Sequence, residues 1–335
     1  MRKEARPSIE DPGMTVNAVI FIHGVTTEFK PPEPITRFYK PMWASIASQI
    51  SDFKASSWLP IFVTWGNVFP GDKRPFRPDQ KLSLAEQQTS LATQKKVQPM
   101  NGAKRDFGWP VMRQDLMSIR NKLLRGLSDV IYYTSGEGEA HVRKVVYGQV
   151  LTALKPLLKK GYSVRLHVIA HSLGNAVAHD FLYSIFNTHK TPDFSKYQAK
   201  AADKIQRKTF LYLRELARGR APRVSFGSFS SMASPIPIFV LRKQAIVERL
   251  SKRGATLDPA QIGIKEKRGG VQWKLFYDKD DLLAFPTRSL YKDPHGAIGD
   301  YHVSTGWLPV SAHMGYWGNE DVRRETAELL GRRRL

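Results

Sequence analysis

The chain contains no cysteine. That absence excludes a disulfide framework, a thiolate metal site and a cysteine nucleophile, and it says nothing about redox compartment. Long hydrophobic runs are missing too. A membrane-spanning helix needs about 20 apolar residues in succession, whereas the most apolar stretches here, 18–22 and 164–170, have the length of buried strands. The opening Met1-Arg2-Lys3-Glu4-Ala5-Arg6-Pro7 is charged and no apolar segment follows it, so a cleaved secretory leader is not expected. The expected location is therefore the cytoplasm, with peripheral membrane association or export without a cleaved leader as the alternatives. No repeat of 20–50 residues and no low-complexity tract interrupts the chain.

Acidic residues are also in short supply. Asp and Glu together number 30 against 52 Lys and Arg, a formal net charge of +22. The excess is densest over 190–223, over 242–268 and at Arg332-Arg333-Arg334. Such a surface attracts phosphates, those of anionic lipid headgroups or of another polyanion, by long-range Coulomb forces. No helix-turn-helix, zinc-finger or RNA-recognition signature accompanies it, so the charge carries no specific nucleic-acid reading.

A composition of 41% hydrophobic residues over 335 positions is that of a globular chain with a large core. Apolar runs at 16–22, 59–65, 164–170, 223–228 and 272–277 read as strands. Between them lie helical patterns: around 43–53, over 140–160 (Val142, Val145, Val146, Val150, Leu151, Leu154, Leu157, Leu158) with a stop at Gly161, over 174–186, and at 320–330. Alternation of this kind predicts an α/β fold, with a mostly parallel central sheet and helices on both faces. We expect a single domain over 1–335. Two insertions, 66–139 (with a helix over 111–130) and the basic 191–220, are expected to form cap-like segments within it.

The segment that carries chemistry is Val168-Ile169-Ala170-His171-Ser172-Leu173-Gly174-Asn175-Ala176. An apolar strand runs into small-X-Ser-X-Gly, and a helix begins without a spacer. This is the context in which a G-x-S-x-G pattern has mechanical meaning. The serine stands on a sharp corner, and side chains two positions to either side would collide with strand and helix. Ala170 and Gly174 supply the small residues, Ala in place of the first Gly adding one methyl group. The bland explanation, a Ser N-cap with a Gly nearby, accounts for the Ser but not for the strand before it.

With this elbow the chain resembles the α/β-hydrolase superfamily, and within it serine lipases and esterases with an Ala-His-Ser-X-Gly elbow. The resemblance runs from about Val16 to Leu330 with the insertions left out. It implies an α/β-hydrolase fold and a Ser-His-Asp triad in the chain order Ser, acid, His. Ser172 is the implied nucleophile. The implied acid lies in Tyr277-Asp278-Lys279-Asp280-Asp281-Leu282-Leu283-Ala284-Phe285-Pro286, similar to the family pattern of an acid before apolar residues and a Pro. That pattern points to Asp281, with Asp280 as the alternative and Asp278 third. The implied base is His313, in a loop before the final helix, with His302 and His295 as competitors.

The resemblance also implies two backbone N–H donors for an oxyanion. One is Leu173, directly after the nucleophile. The other follows His23-Gly24 and is Val25, or else Thr26. His171 is expected to pack or hydrogen-bond near the site without being catalytic, and His167 and His179 to be packing or surface residues. No metal-ligand spacing is present and no cofactor is expected. The expected activity is hydrolysis of carboxylic esters, lipase- or esterase-like, on a small-molecule or lipid ester. A thioesterase or acyltransferase would use the same triad, and a binding protein on a hydrolase scaffold would keep its residues without turnover.

Overall fold

The computed structural model describes residues 14–24, 33–65, 133, 136–187, 201–219, 221–240, 256–265, 270–293 and 295–332. All of these belong to one unit, Met1–Val68 with Tyr132–Leu335, while Phe69–Ile131 makes a second unit that lies outside the described residues. The expected insertion at 66–139 therefore falls outside them up to position 132, as does its helix at 111–130.

Among the described residues six parallel strands form one sheet in the order β2-β1-β3-β4-β5-β6. They are β1 Thr15–Ile22, β2 Trp58–Val63, β3 Ser163–His171, β4 Val224–Met232, β5 Trp273–Tyr277 and β6 Ile298–His302. β1 and β3 are central and buried along nearly their whole lengths, which is why they read as continuous apolar runs rather than as alternating ones. Side chains of successive strand residues point to opposite faces. On one face Val19, Phe21 and Ile169 pack in a cluster with Met42 and Ile46 of α1 (Lys40–Gln49) and Val322 and Leu330 of α7 (Glu320–Gly331). On the other lie α2 (Gly136–Lys159), α3 (Leu173–Phe186) and α4 (Ala201–Arg218).

Several elements depart from the sequence expectation. β4 continues past Ser228 to Met232, although Gly227-Ser228-Phe229-Ser230-Ser231 resembles a turn. Its buried hydroxyls are all satisfied: Ser228 pairs with His167 Nδ1 (2.8 Å), Ser230 with Thr326 (2.8 Å), and Ser231 donates to Asn175 Oδ1 (2.6 Å). β6 and the short α6 (Pro309–Gly315) lie in what the pattern reads as one long loop.

The basic segment 191–220 lies outside the described residues over 191–200. It contains α4, whose second half buries Phe210 and Leu213 and stacks Phe210 on Tyr147 of α2. Arg214 donates to the carbonyls of Ser184 and Asn187 at the far end of α3. At about 1.5 Å per residue that end is roughly 20 Å from Ser172. This half of the helix covers the sheet and is not a cap over the elbow. Among the described residues no helix is long and apolar enough to cross a membrane.

Candidate active site

Ser172 occupies the single residue between β3 and α3, with φ 53° and ψ −132°. A non-glycine residue there is strained by about 1–3 kcal/mol, so surrounding contacts must enforce it. Asn175 does much of this. Its backbone N–H and its amide both donate to the Ser172 carbonyl (2.9 and 3.0 Å), and the amide also reaches the Met232 carbonyl (2.7 Å). The Ser172 N–H donates to that same Met232 carbonyl (2.9 Å), tying the bend to β4.

The small residues are sterically required. A Cβ on Gly174 would stand 2.5 Å from the Ile22 carbonyl oxygen and 2.6 Å from that of His23. A Cβ on Gly24 would stand 2.5 Å from Ser172 Cβ and 3.0 Å from its Oγ. The His23-Gly24 turn after β1 thus lies directly against the serine.

His313 sits on α6, not in a loop as the sequence suggested; Pro309 at the first turn hides a seven-residue helix. Its Nε2 is 2.8 Å from Ser172 Oγ, and its Nδ1 is 2.9 and 3.0 Å from the two carboxylate oxygens of Asp281. A carboxylate accepts only, so Nδ1 carries the proton and Nε2 accepts from the Ser172 hydroxyl. Asp281 is buried and is itself oriented by the Leu283 N–H (3.0 Å) and the Tyr316 hydroxyl (3.1 Å). Burial, and after it the Asp281 charge, pushes the Tyr316 phenol well above its ordinary range, so it stays a donor.

The other two acids of the segment do different work. Asp280 is exposed, and its N–H caps Asp278 Oδ1 (3.0 Å). Asp278 is buried, with its Oδ2 accepting from the Thr305 N–H (2.5 Å) and hydroxyl (2.8 Å). Burial raises its carboxyl, but the donors from Asp280, Thr305 and Gly306 outweigh that and hold it below the usual range. It staples the β5 turn to the chain leading into α6, and so ties the segment holding Asp281 to the one holding His313.

Two further histidines flank Ser172. His171 is buried and its Nε2 lies 2.6 Å from the His313 carbonyl oxygen, with the two rings 4.9 Å apart. His23 is stacked flat on Trp65 (5.6 Å between rings, 3° between planes); its Nδ1 faces the Gly24 carbonyl (2.7 Å) and its Nε2 the Trp65 N–H (3.3 Å). Tyr39 accepts from the His23 N–H (2.7 Å) and donates to the Val63 carbonyl (2.9 Å). Burial lowers His23 to about 4 despite its bond to Gly24. Burial, and then the charge His313 can carry, lowers His171 to about 3. Both rings are neutral at physiological pH.

Of the sequence-expected residues, Ser172, His313 and Asp281 come together, and Leu173 begins α3 beside them. Its N–H is among those a helix leaves without an internal acceptor. Val25 and Thr26 lie outside the described residues. The competitors stand elsewhere: His302 is exposed at the end of β6 against Tyr277, and His295 is exposed before that strand. His167 packs within the sheet on Ser228 and Asn17, and His179 on Tyr291. Asn175 and Tyr316 escaped the sequence reading. Asn175 could have been noticed as a polar residue on an otherwise apolar helix face. Nothing in the sequence marks Tyr316. Among the described residues no group of three or more His, Asp or Glu could hold a metal ion. No family model matches the chain, and no curated protein or solved structure matches it either.

Proposed function

We propose that the chain is a serine ester hydrolase of the α/β-hydrolase type, lipase- or esterase-like. The observation that carries the reading is one continuous relay, Ser172 Oγ to His313 Nε2 at 2.8 Å and His313 Nδ1 to Asp281 at 2.9 Å. It stands on a strained strand–helix bend at the end of a parallel sheet. The chain order Ser, Asp, His and the helix-covered sheet agree with that family.

In the reaction, Ser172 Oγ attacks the ester carbonyl carbon while its proton passes to His313 Nε2. The imidazolium so formed is stabilised by Asp281. The oxyanion takes hydrogen bonds from the Leu173 N–H at the positive end of α3 and from a second donor assigned to Val25. The carbon–oxygen bond to the leaving alcohol then breaks, and His313 returns its proton to that oxygen. Water attacks the acyl-serine, gives a proton to His313, and the carboxylic acid leaves as Ser172 regains its hydrogen.

Lipid esters are the favoured substrates. Trp307 is 92% exposed, and Leu282 (65%) and Leu308 (59%) stand on the same two segments that carry Asp281 and His313. Exposed apolar side chains on those two segments suit an acyl chain, and the charge of +22 suits anionic headgroups. The test is a series of p-nitrophenyl esters of rising chain length. Wild type is expected to turn them over, fastest with the longer chains, and Ser172→Ala to lose that turnover. Equal rates for both proteins would end the proposal.

A further inference from the structure

We propose that His171 is a positioning residue. From the position before the nucleophile, its Nε2–H fixes the backbone of His313 and thereby sets the reach of the base to Ser172. The inference rests on the reading of Ser172 and His313 as nucleophile and base.

Three observations carry it. First, His313 lies in the last turn of a seven-residue helix, and the last four carbonyls of a helix have no N–H of that helix to accept from. The His313 carbonyl is one of them, and the His171 imidazole supplies the missing donor at 2.6 Å. Second, His171 is the last residue of β3 and covalently adjacent to Ser172. The bond therefore joins the base's backbone to the nucleophile's strand directly. Asp281 fixes the far edge of the imidazole, His171 fixes the chain it hangs from, and the Nε2–Oγ distance follows from both. Third, the donor is itself immobilised. Its ring is buried and packed against His313 (4.9 Å), Trp317 (5.6 Å) and Tyr316 (6.0 Å).

The side chain must also be an uncharged donor. His313 becomes a cation during each turnover, and a second cation at this range would oppose that step. The ionisable groups facing the His171 ring are His313, Asp281, His23 and Tyr316. Burial keeps His171 neutral among them, in agreement with the geometry. Lys or Arg could donate equally well but would add the charge.

The test compares His171→Leu, which removes the donor at similar volume, with His171→Gln, whose amide nitrogen can replace Nε2. Rates are taken per active site titrated with a fluorophosphonate, alongside melting temperature and the pH–rate profile. The Leu variant is expected to lose about 10²-fold in kcat, as a misplacement of about 1 Å does, with KM within about threefold. Gln is expected to recover at least tenfold of that loss, and to leave the base limb of the profile where wild type has it. If the Leu variant does not fold, His171→Met takes its place. Equal kcat in Leu (or Met) and wild type, or equal loss in Gln and Leu, would overturn the positioning role while leaving the hydrolase reading intact. A wild type that is neither labelled nor active removes the hydrolase reading, and this role with it.

Discussion

Replacing His313 by Ala is expected to lower turnover of an activated ester by about 10⁶-fold, the scale on which loss of the base disables a serine hydrolase. The Ser172 hydroxyl is a weak nucleophile while it keeps its proton, and the only acceptor placed for that proton among the described residues is Nε2 at 2.8 Å. Neither neighbouring histidine can take over. His171 has its Nε2 engaged by the His313 carbonyl, and His23 has both ring nitrogens engaged with Gly24 and Trp65. What rate remains comes from the oxyanion donors and from binding. His302→Ala, at the exposed end of β6, is the control and is expected to match wild type. Initial rates with a short p-nitrophenyl ester decide the matter. A loss below tenfold in His313→Ala would show that another group takes the serine proton.

Asp281→Asn is expected to cost about 10⁴-fold in kcat with the fold intact. The amide can present its N–H to His313 Nδ1, which then becomes the acceptor and forces the proton onto Nε2. In that tautomer the imidazole cannot accept from Ser172, and the imidazolium formed in the transition state has lost its counter-charge. Asp280→Asn separates this from a general effect of removing an acid. Asp280 is exposed and contributes only its backbone N–H to Asp278, so its variant is expected to stay within about threefold of wild type. If the two substitutions changed kcat in the opposite order, the acid would be Asp280 and the contact between Asp281 and His313 would be structural only.

Much of this arrangement is legible in the sequence. β1 and β3 announce themselves because strands buried on both faces have no polar positions to alternate with. The elbow is readable because its pattern is continuous in the sequence, although the reason for its Gly is tertiary: a Cβ on Gly174 would stand 2.5 Å from the Ile22 carbonyl oxygen and 2.6 Å from that of His23. Only the family pattern separates Asp281 from Asp278 and Asp280 in the sequence. Their physical difference lies in Thr305, which occupies Asp278, and Tyr316, which orients Asp281. Both partners are distant in sequence, and no local pattern encodes them.

Where the structure departs from the sequence pattern, distant partners are again the cause. β6, Ile298-Gly299-Asp300-Tyr301-His302, pairs on one side only among the described residues and is only partly buried, so it lacks the apolar run that marks the other strands. The second half of β4 looks like a turn until its serines are seen to bond to His167, Asn175 and Thr326 on other elements. The loop expected around His313 is a short helix whose first turn is closed by Ser311 and Leu308 and whose end accepts a bond from His171. Within the basic segment 191–220, the second half of α4 packs on neighbouring helices of the domain. Its charge masked the apolar positions Phe210 and Leu213, by which α4 docks on α2 and α3.

A fluorophosphonate reacts only where a hydroxyl is deprotonated by a base as it attacks, so it interrogates the relay itself and needs no guess at the substrate. Mass spectrometry of the labelled chain after digestion should find one adduct, on the peptide holding Ser172, and should find none in Ser172→Ala. An intact, folded chain that takes up no label, or takes it at another residue, would contradict the account.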